Sequence, residues 1–251
     1  MLNRAIRIMN KVLLYVIILF TLCFSGCQKD FELASADLQK LGNAAHDLLS
    51  GEKYTALKVE IAYTPGFAPD APGIQHLYSF LNTYLNKPAG IQIIQTPVKN
   101  SGLSGLTITD LVRLEKQNRS VFTQGSTITV YILLTDAPFI DERVLATSYW
   151  NTSFAIFGPA VQKSTGALRQ EFRSRLVSVL LQHEFGHLLG LVGQGSPMQT
   201  DHRDENNGAH CNNPLCLMYY GFETVDHISG SSPIPKLDAH CLADLKANGG
   251  K

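Results

Sequence analysis

His183-Glu184-Phe185-Gly186-His187, followed by Leu188-Leu189-Gly190, decides the reading of this chain. Residues 166–189 carry Leu176, Val179 and Leu180 at helical spacing, so the stretch is expected to end a long helix. Side chains four apart on a helix project from one face. The imidazoles of His183 and His187 can therefore reach one cation, with Glu184 leaning toward the same open position. Were these ordinary residues packed on a sheet, two histidines and a carboxylate would be buried without partners, at about 1–3 kcal/mol per unsatisfied group. A bound metal accounts for all of them. Gly190 then suits a chain that must turn sharply off the helix, because glycine takes up left-handed backbone without steric cost.

Upstream of this helix, Leu57, Val59 and Ile61 alternate with polar neighbours over 55–63 and predict a strand, closed by Thr64-Pro65-Gly66. Residues 73–86 place Ile74, Leu77, Phe80, Leu81 and Leu85 at helical spacing. Residues 91–98 and 127–134 read as further strands, the second apolar enough to lie centrally in a sheet. Residues 145–161, with Tyr149, Trp150, Phe154, Ile156 and Phe157, predict one or two strands joined by Asn151-Thr152. The order strand, helix, strand, strand, strand, long helix indicates a mixed sheet domain, α/β or α+β. A helical pattern over 34–49, ended by Ser50-Gly51, could pack on that domain or act as a stalk.

A chain of 251 residues that is 45% hydrophobic can bury a sizeable core. With no repeat and no long linker after Cys27, residues 53–251 are expected to form one domain, preceded by a tether and helix over 27–52. Lys plus Arg and Asp plus Glu both total 21, so no net field draws the molecule to a polyanion, and nucleic acid is not an expected partner. Arg4, Arg7 and Lys11 precede an apolar run over 12–24 that is short for a membrane span, which marks residues 1–26 as an export signal. The run ends in Phe24-Ser25-Gly26-Cys27, which resembles the bacterial lipobox, with Phe24 in the place usually held by Leu. That resemblance implies lipidation of Cys27, a membrane partner through that lipid, and a place in the cell envelope, periplasmic or surface-exposed. An uncleaved signal anchor is the alternative, and it too leaves the domain outside the cytoplasm.

Beyond Gly190 the sequence reaches His210-Cys211-Asn212-Asn213-Pro214-Leu215-Cys216-Leu217-Met218. The upstream motif resembles that of the metzincin clan of zinc metallopeptidases, HExxHxxGxxH, but Gly193 stands where the third His belongs. The downstream pattern HCx4CxM resembles archaemetzincins, in which the third zinc ligand is followed directly by Cys. Residues between 190 and 210 then read as an inserted loop, which costs little entropy beyond its first few residues. His202, in the polar stretch Thr200-Asp201-His202-Arg203-Asp204, is the rival third ligand.

The resemblance implies an α+β, metzincin-like zincin domain: a mixed twisted sheet, a long active-site helix, a Met-turn at Met218 and a C-terminal helix. It implies zinc on His183, His187 and His210, Glu184 as the general base of an endopeptidase, and Tyr220 as a stabiliser of oxyanion charge, a task Tyr219 could also perform. A protein or peptide substrate would lie extended along an edge strand within 146–158, with Trp150 and Phe154 either shaping subsites or packing in the core. Met218 could equally be an ordinary core residue. The molecule is expected to be a monomer.

Export removes Cys23 and lipidation uses Cys27, which leaves Cys211, Cys216 and Cys241, an odd set that cannot pair fully within the chain. Archaemetzincins hold a second, structural zinc on four cysteines, the pair in HCx4C and a later CxxC. Here the later pair is reduced to Asp238-Ala239-His240-Cys241. The resemblance implies a second zinc on Cys211, Cys216 and Cys241, completed by Asp238 or His240; one disulfide with a spare thiol is the alternative. A zinc-containing surface lipoprotein that binds a protein partner without cutting it is a reading from another class. Against it, a degenerate enzyme loses its base first, and Glu184 is intact. A purely structural metal calls for a closed four-ligand site, whereas three histidines beside a carboxylate leave one position open.

Overall fold

The alternation of Leu57, Val59 and Ile61 with polar residues produces strand β1 (Ala56–Tyr63), and all three apolar side chains are buried. Glu60, on the opposite face, is buried as well, because its carboxylate accepts the Ser120 hydroxyl at 2.6 Å and the backbone N–H groups of Ser120 and Val121. In the computed structural model, residues 37, 39–166, 170–222 and 233–251 are described. They fall within a unit that runs from Leu33 to Lys251. The expected export signal and Cys27 lie outside the described residues.

Strands β2 (Gly90–Pro97), β3 (Thr127–Thr135), β4 (Ala146–Trp150) and β5 (Ser153–Phe157) join β1 in a five-stranded sheet of order β2-β1-β3-β5-β4. β2 and β3 flank β1 in parallel, and β5 runs parallel to β3. β4, at the end of the sheet, is antiparallel to β5. β3 is buried along all but its first residue, as a near-continuous apolar run must be when both sheet faces are covered. The exposed edge β2 alternates instead.

Parallel neighbours need crossover connections; a helix supplies the one from β1 to β2, whereas β3 reaches β5 by way of β4. Helix α2 (Ala71–Tyr84) begins where Asp70 accepts the Gly73 N–H, and it buries Leu77, Phe80 and Leu81. It packs on the long helix α5 (Gln170–Leu188). Two helices lie where the sequence reading has none. Helix α3 (Ile108–Asn118) starts at a reciprocal Thr107–Asp110 cap. Helix α4 (Gly158–Thr165) opens with a proline in its first turn and occupies the end of the run expected to be strand. A missing N–H is harmless in a first helical turn, so Pro159 ends the strand and begins the helix together.

Near the amino terminus the helix is shorter than the pattern over 34–49: α1 covers Ala45–Leu49, and residues 34–36 and 38 lie outside the described set. It is no stalk. Leu48 and Leu49 are fully buried in the core, and the Lys87 ammonium donates to the carbonyls of Asp47, Ser50 and Tyr54 at 2.7, 2.5 and 2.8 Å. Gly42, at φ +86°, passes so close to Gln194 that any Cβ there would overlap the Gln194 carbonyl. The segment before β1 is thus wedged against the loop that follows α5.

Candidate functional site

Helix α5 ends in a Schellman arrangement: Leu191 N–H donates to the Gly186 carbonyl, Gly190 N–H donates to the His187 carbonyl, and Gly190 sits at φ +72°. A Cβ at Gly190 would come within 2.5 Å of Ser196 N and 2.7 Å of the Ala45 side chain, so conformation and space both demand glycine. The chain leaves the helix immediately after the second histidine and enters the loop that carries the remaining donors.

That loop is ordered by its own hydrogen bonds. Arg203 and Cys211 form an antiparallel bridge. Asn212 N–H donates to the His202 carbonyl at 2.9 Å, and Asp204 N–H donates to the His210 carbonyl at 2.8 Å. The Asp204 carboxylate accepts Asn206 N–H and Asn207 Nδ2, and it is held below the usual carboxylate range by the Asn207 side chain first and the Asn206 N–H second. The Asn207 carbonyl in turn accepts His210 Nδ1–H at 2.7 Å.

The structure brings His210, not His202, to His183 and His187. Their ring centroids lie 4.9, 5.3 and 5.0 Å apart, and one donor atom from each falls within 4.8 Å of the others. His183 Nδ1 donates to the Leu217 carbonyl at 2.6 Å, just as His210 Nδ1 does to Asn207, so both rings turn Nε2 inward. His183 Nε2 lies 3.2 Å from His187 Nε2. His183, His187 and His210 are only 0%, 4% and 8% exposed. With its Nδ1–H given to the Leu217 carbonyl, His183 Nε2 is an acceptor, and neutral imidazoles gathered this closely can turn ring nitrogens to a common cation. Tetrahedral Zn–N bonds of about 2.0–2.1 Å put neighbouring nitrogens about 3.4 Å apart, close to the 3.2 Å between His183 and His187. The residues present therefore fit zinc.

Glu184 is fully buried beside this cluster, and its Oε2 accepts the Ser148 hydroxyl at 2.8 Å. Ser148 lies on β4, next to a register shift between Ser148 and Trp150 that marks a β-bulge. Met218 is buried beneath α5, and a Cβ on Gly186 would come within 2.3 Å of its Sδ. Tyr220 opens a single 3-10 turn (Tyr220–Phe222), its ring 4.6 Å from that of Tyr219. Phe154 points into the core against Phe185, with centroids 6.4 Å apart, and so shapes no subsite. Ser148 and Gly186 escaped the sequence reading, since neither residue type signals a metal site by itself. A cavity of about 700 Å³ between α2, α5 and residues 234–237 is lined by His76 and Leu217 but by none of the three clustered histidines.

A second cluster lies on the other side of the loop. Cys211, Cys216 and Cys241 are buried thiols, unbonded to one another, with Cys216 Sγ 3.6 Å from Cys241 Sγ. Hydrogen bonds from Cys211 and then Cys241 hold Cys216 at about 4, far below the usual thiol range, while the hydrogen bond with Cys216 raises Cys211 and the one with Cys211 raises Cys241. His202 Nδ1 approaches Cys211 Sγ at 3.4 Å and Cys241 Sγ at 3.9 Å. His240, expected as a ligand, instead stacks on the His202 ring at 5.6 Å. Asp238 caps the C-terminal helix α6 (Ala239–Ala247) by accepting Cys241 N–H, and its other oxygen lies 3.3 Å from Cys211 Sγ.

No family model matches the chain, and no curated protein sequence does either. Among solved structures, the fold is similar to archaemetzincin from Methanopyrus kandleri, at a TM-score of 0.53 and 15% identity over 77% of this chain and 96% of that one. Metalloproteinase-II from Bacteroides fragilis aligns at a TM-score of 0.43 and 16% identity, over 87% of this chain and 58% of that one. The mixed five-stranded sheet with its long helix is the archaemetzincin-like zincin fold.

Proposed function

We propose that the chain is a zinc-dependent endopeptidase, with His183, His187 and His210 holding the metal and Glu184 acting as general base. The observation that carries this reading is the convergence of three buried imidazoles, two of them with Nδ1–H committed to carbonyls, beside a buried carboxylate. Three nitrogen ligands leave a fourth position vacant, which suits catalysis better than a structural role. Zinc held there supplies a Lewis acid and lowers the pKa of water from 15.7 to about 7. Glu184 takes the proton from the attacking water and passes it to the departing amine. β4, which ends the sheet, offers its outer edge to an extended peptide as an added strand. Tyr220, two residues past Met218, is the candidate donor to developing oxyanion charge.

The cysteine cluster holds a second, structural zinc, and a lipid on Cys27 keeps the monomeric enzyme at the envelope membrane. The test is cleavage of an unfolded protein substrate by the purified protein, with and without a chelator. Loss of cleavage on chelation and recovery with zinc support the reading. Cleavage that persists in metal-stripped protein removes it. A zinc-containing lipoprotein that only binds a partner would keep its metal and show no cleavage under any condition.

A further inference from the structure

We infer that His202, steadied by Asp244, is the fourth ligand of the cysteine-bound metal, in the place that the shortened Asp238-to-Cys241 pair leaves without a cysteine. This rests on the second-zinc reading above. Donor atoms of His202, Cys211, Asp238 and Cys241 lie within 4.8 Å of one another, and the Cys216 thiol joins them 3.6 Å from that of Cys241, which makes five. Zinc in a structural site takes four.

Asp238 is already committed. One oxygen accepts Cys241 N–H at 3.0 Å and caps α6; the other accepts Asn213 Nδ2 at 3.0 Å. His202 is arranged as a ligand. Its Nε2 lies 2.9 Å from Oδ2 of Asp244, a fully buried carboxylate, while its Nδ1 faces the thiols. A metal-ligating histidine characteristically gives its other ring nitrogen to a carboxylate, which fixes tautomer and orientation. The spacing agrees. With Zn–S near 2.3 Å and Zn–N near 2.0 Å, tetrahedral edges run about 3.5 Å from nitrogen to sulfur and 3.8 Å between sulfurs. The observed nitrogen-to-sulfur distances of 3.4 and 3.9 Å bracket the first value, and the sulfur-to-sulfur distance of 3.6 Å lies just below the second.

This geometry gives the inserted loop a purpose. His202 and Cys211 pin both strands of the loop hairpin to α6, through Asp244 and Cys241, and Cys211 directly follows His210. The second metal thereby clamps the turn that presents His210 to the first.

Cobalt binding to the reduced protein reads the two sites separately. Thiolate-to-cobalt charge-transfer absorption arises only at the cysteine cluster and needs no peptide cleavage. The wild-type protein is expected to show that absorption. His202→Ala should lower the affinity of the thiolate site for cobalt at least 10-fold, and Asp244→Asn should lower it by about 10–100-fold. His202→Cys should retain the metal with stronger thiolate absorption, and Asp238→Asn should leave it unchanged. An unaltered affinity in His202→Ala, or loss confined to Asp238→Asn, overturns the assignment of His202. Absence of thiolate absorption in the wild-type protein would instead remove the second metal altogether, and this inference with it.

Discussion

Ser148 Oγ lies 2.8 Å from Glu184 Oε2 and 3.2 Å from the Glu184 carbonyl, so the edge strand grips the residue proposed as general base. The bulge beside Ser148 re-aims the end of β4, which otherwise presents alternate residues to opposite faces. A hydrogen bond to a charged carboxylate is worth about 1.5–3 kcal/mol. Ser148→Ala should therefore keep its zinc and its KM but lose roughly 10-fold or more in kcat, as the carboxylate loses orientation. Steady-state kinetics with metal analysis check this, and an unchanged kcat would make the contact merely structural.

Glu184→Gln is the sharper test of the chemistry. The amide can still accept from Ser148 but cannot take a proton, so zinc content should stay at the wild-type level while cleavage falls by about 10²–10⁴-fold. Undiminished turnover would take Glu184 out of the mechanism.

Gly186→Ala should separate packing from coordination. Its new methyl would meet Met218 Sδ at 2.3 Å between the two helical histidines, and overpacking of this kind costs typically about 1–3 kcal/mol. A lower Tm in the metal-free protein is expected, together with weaker zinc binding as His183 or His187 is displaced. Because Met218 carries the strain, shortening it in a Gly186→Ala/Met218→Ala double mutant should return part of the zinc affinity. A thermal melt indistinguishable from wild type would show that Met218 yields freely and supports nothing.

Much of this was legible in the sequence because periodicity and spacing are local properties. β1, α2, β2 and β3 fall within a few residues of the patterns formed by Leu57-Val59-Ile61, Ile74-Leu77-Leu81 and the apolar run from Ile128 to Leu134. His183, His187 and His210 meet as their motifs implied. Helix α3 was missed although Thr107 and Asp110 write a cap in plain view; its polar surface hides a buried stripe of only Leu111, Leu114 and Glu115. Glu115 is inside because Arg119, one helical turn on, pairs with it and Ser153 reaches it from distant sequence. The role of His202 was illegible for the same reason. Its partners Cys241 and Asp244 stand some forty residues away, and only the folded hairpin delivers it to them.

Asp37 carries the last prediction, because it decides whether the segment before β1 belongs to the fold. Its carboxylate accepts Thr123 Oγ1 at 2.6 Å and Thr123 N–H at 3.1 Å, and lies 3.3 Å from Arg119 Nη2, with both charged side chains fully buried. Arg119 also pairs with Glu115 at 2.8 Å and donates to Thr129 Oγ1 at 2.7 Å. Burial is the largest influence on Glu115 and raises its pKa against the lowering effect of the neighbouring guanidinium. Asp37→Ala would leave a buried guanidinium short of one counter-charge and orphan two Thr123 donors, at a cost of about 3–5 kcal/mol. Denaturant unfolding should show that loss as a lower midpoint. A tether that merely spaced the domain from a membrane would tolerate the same change within about 0.5 kcal/mol.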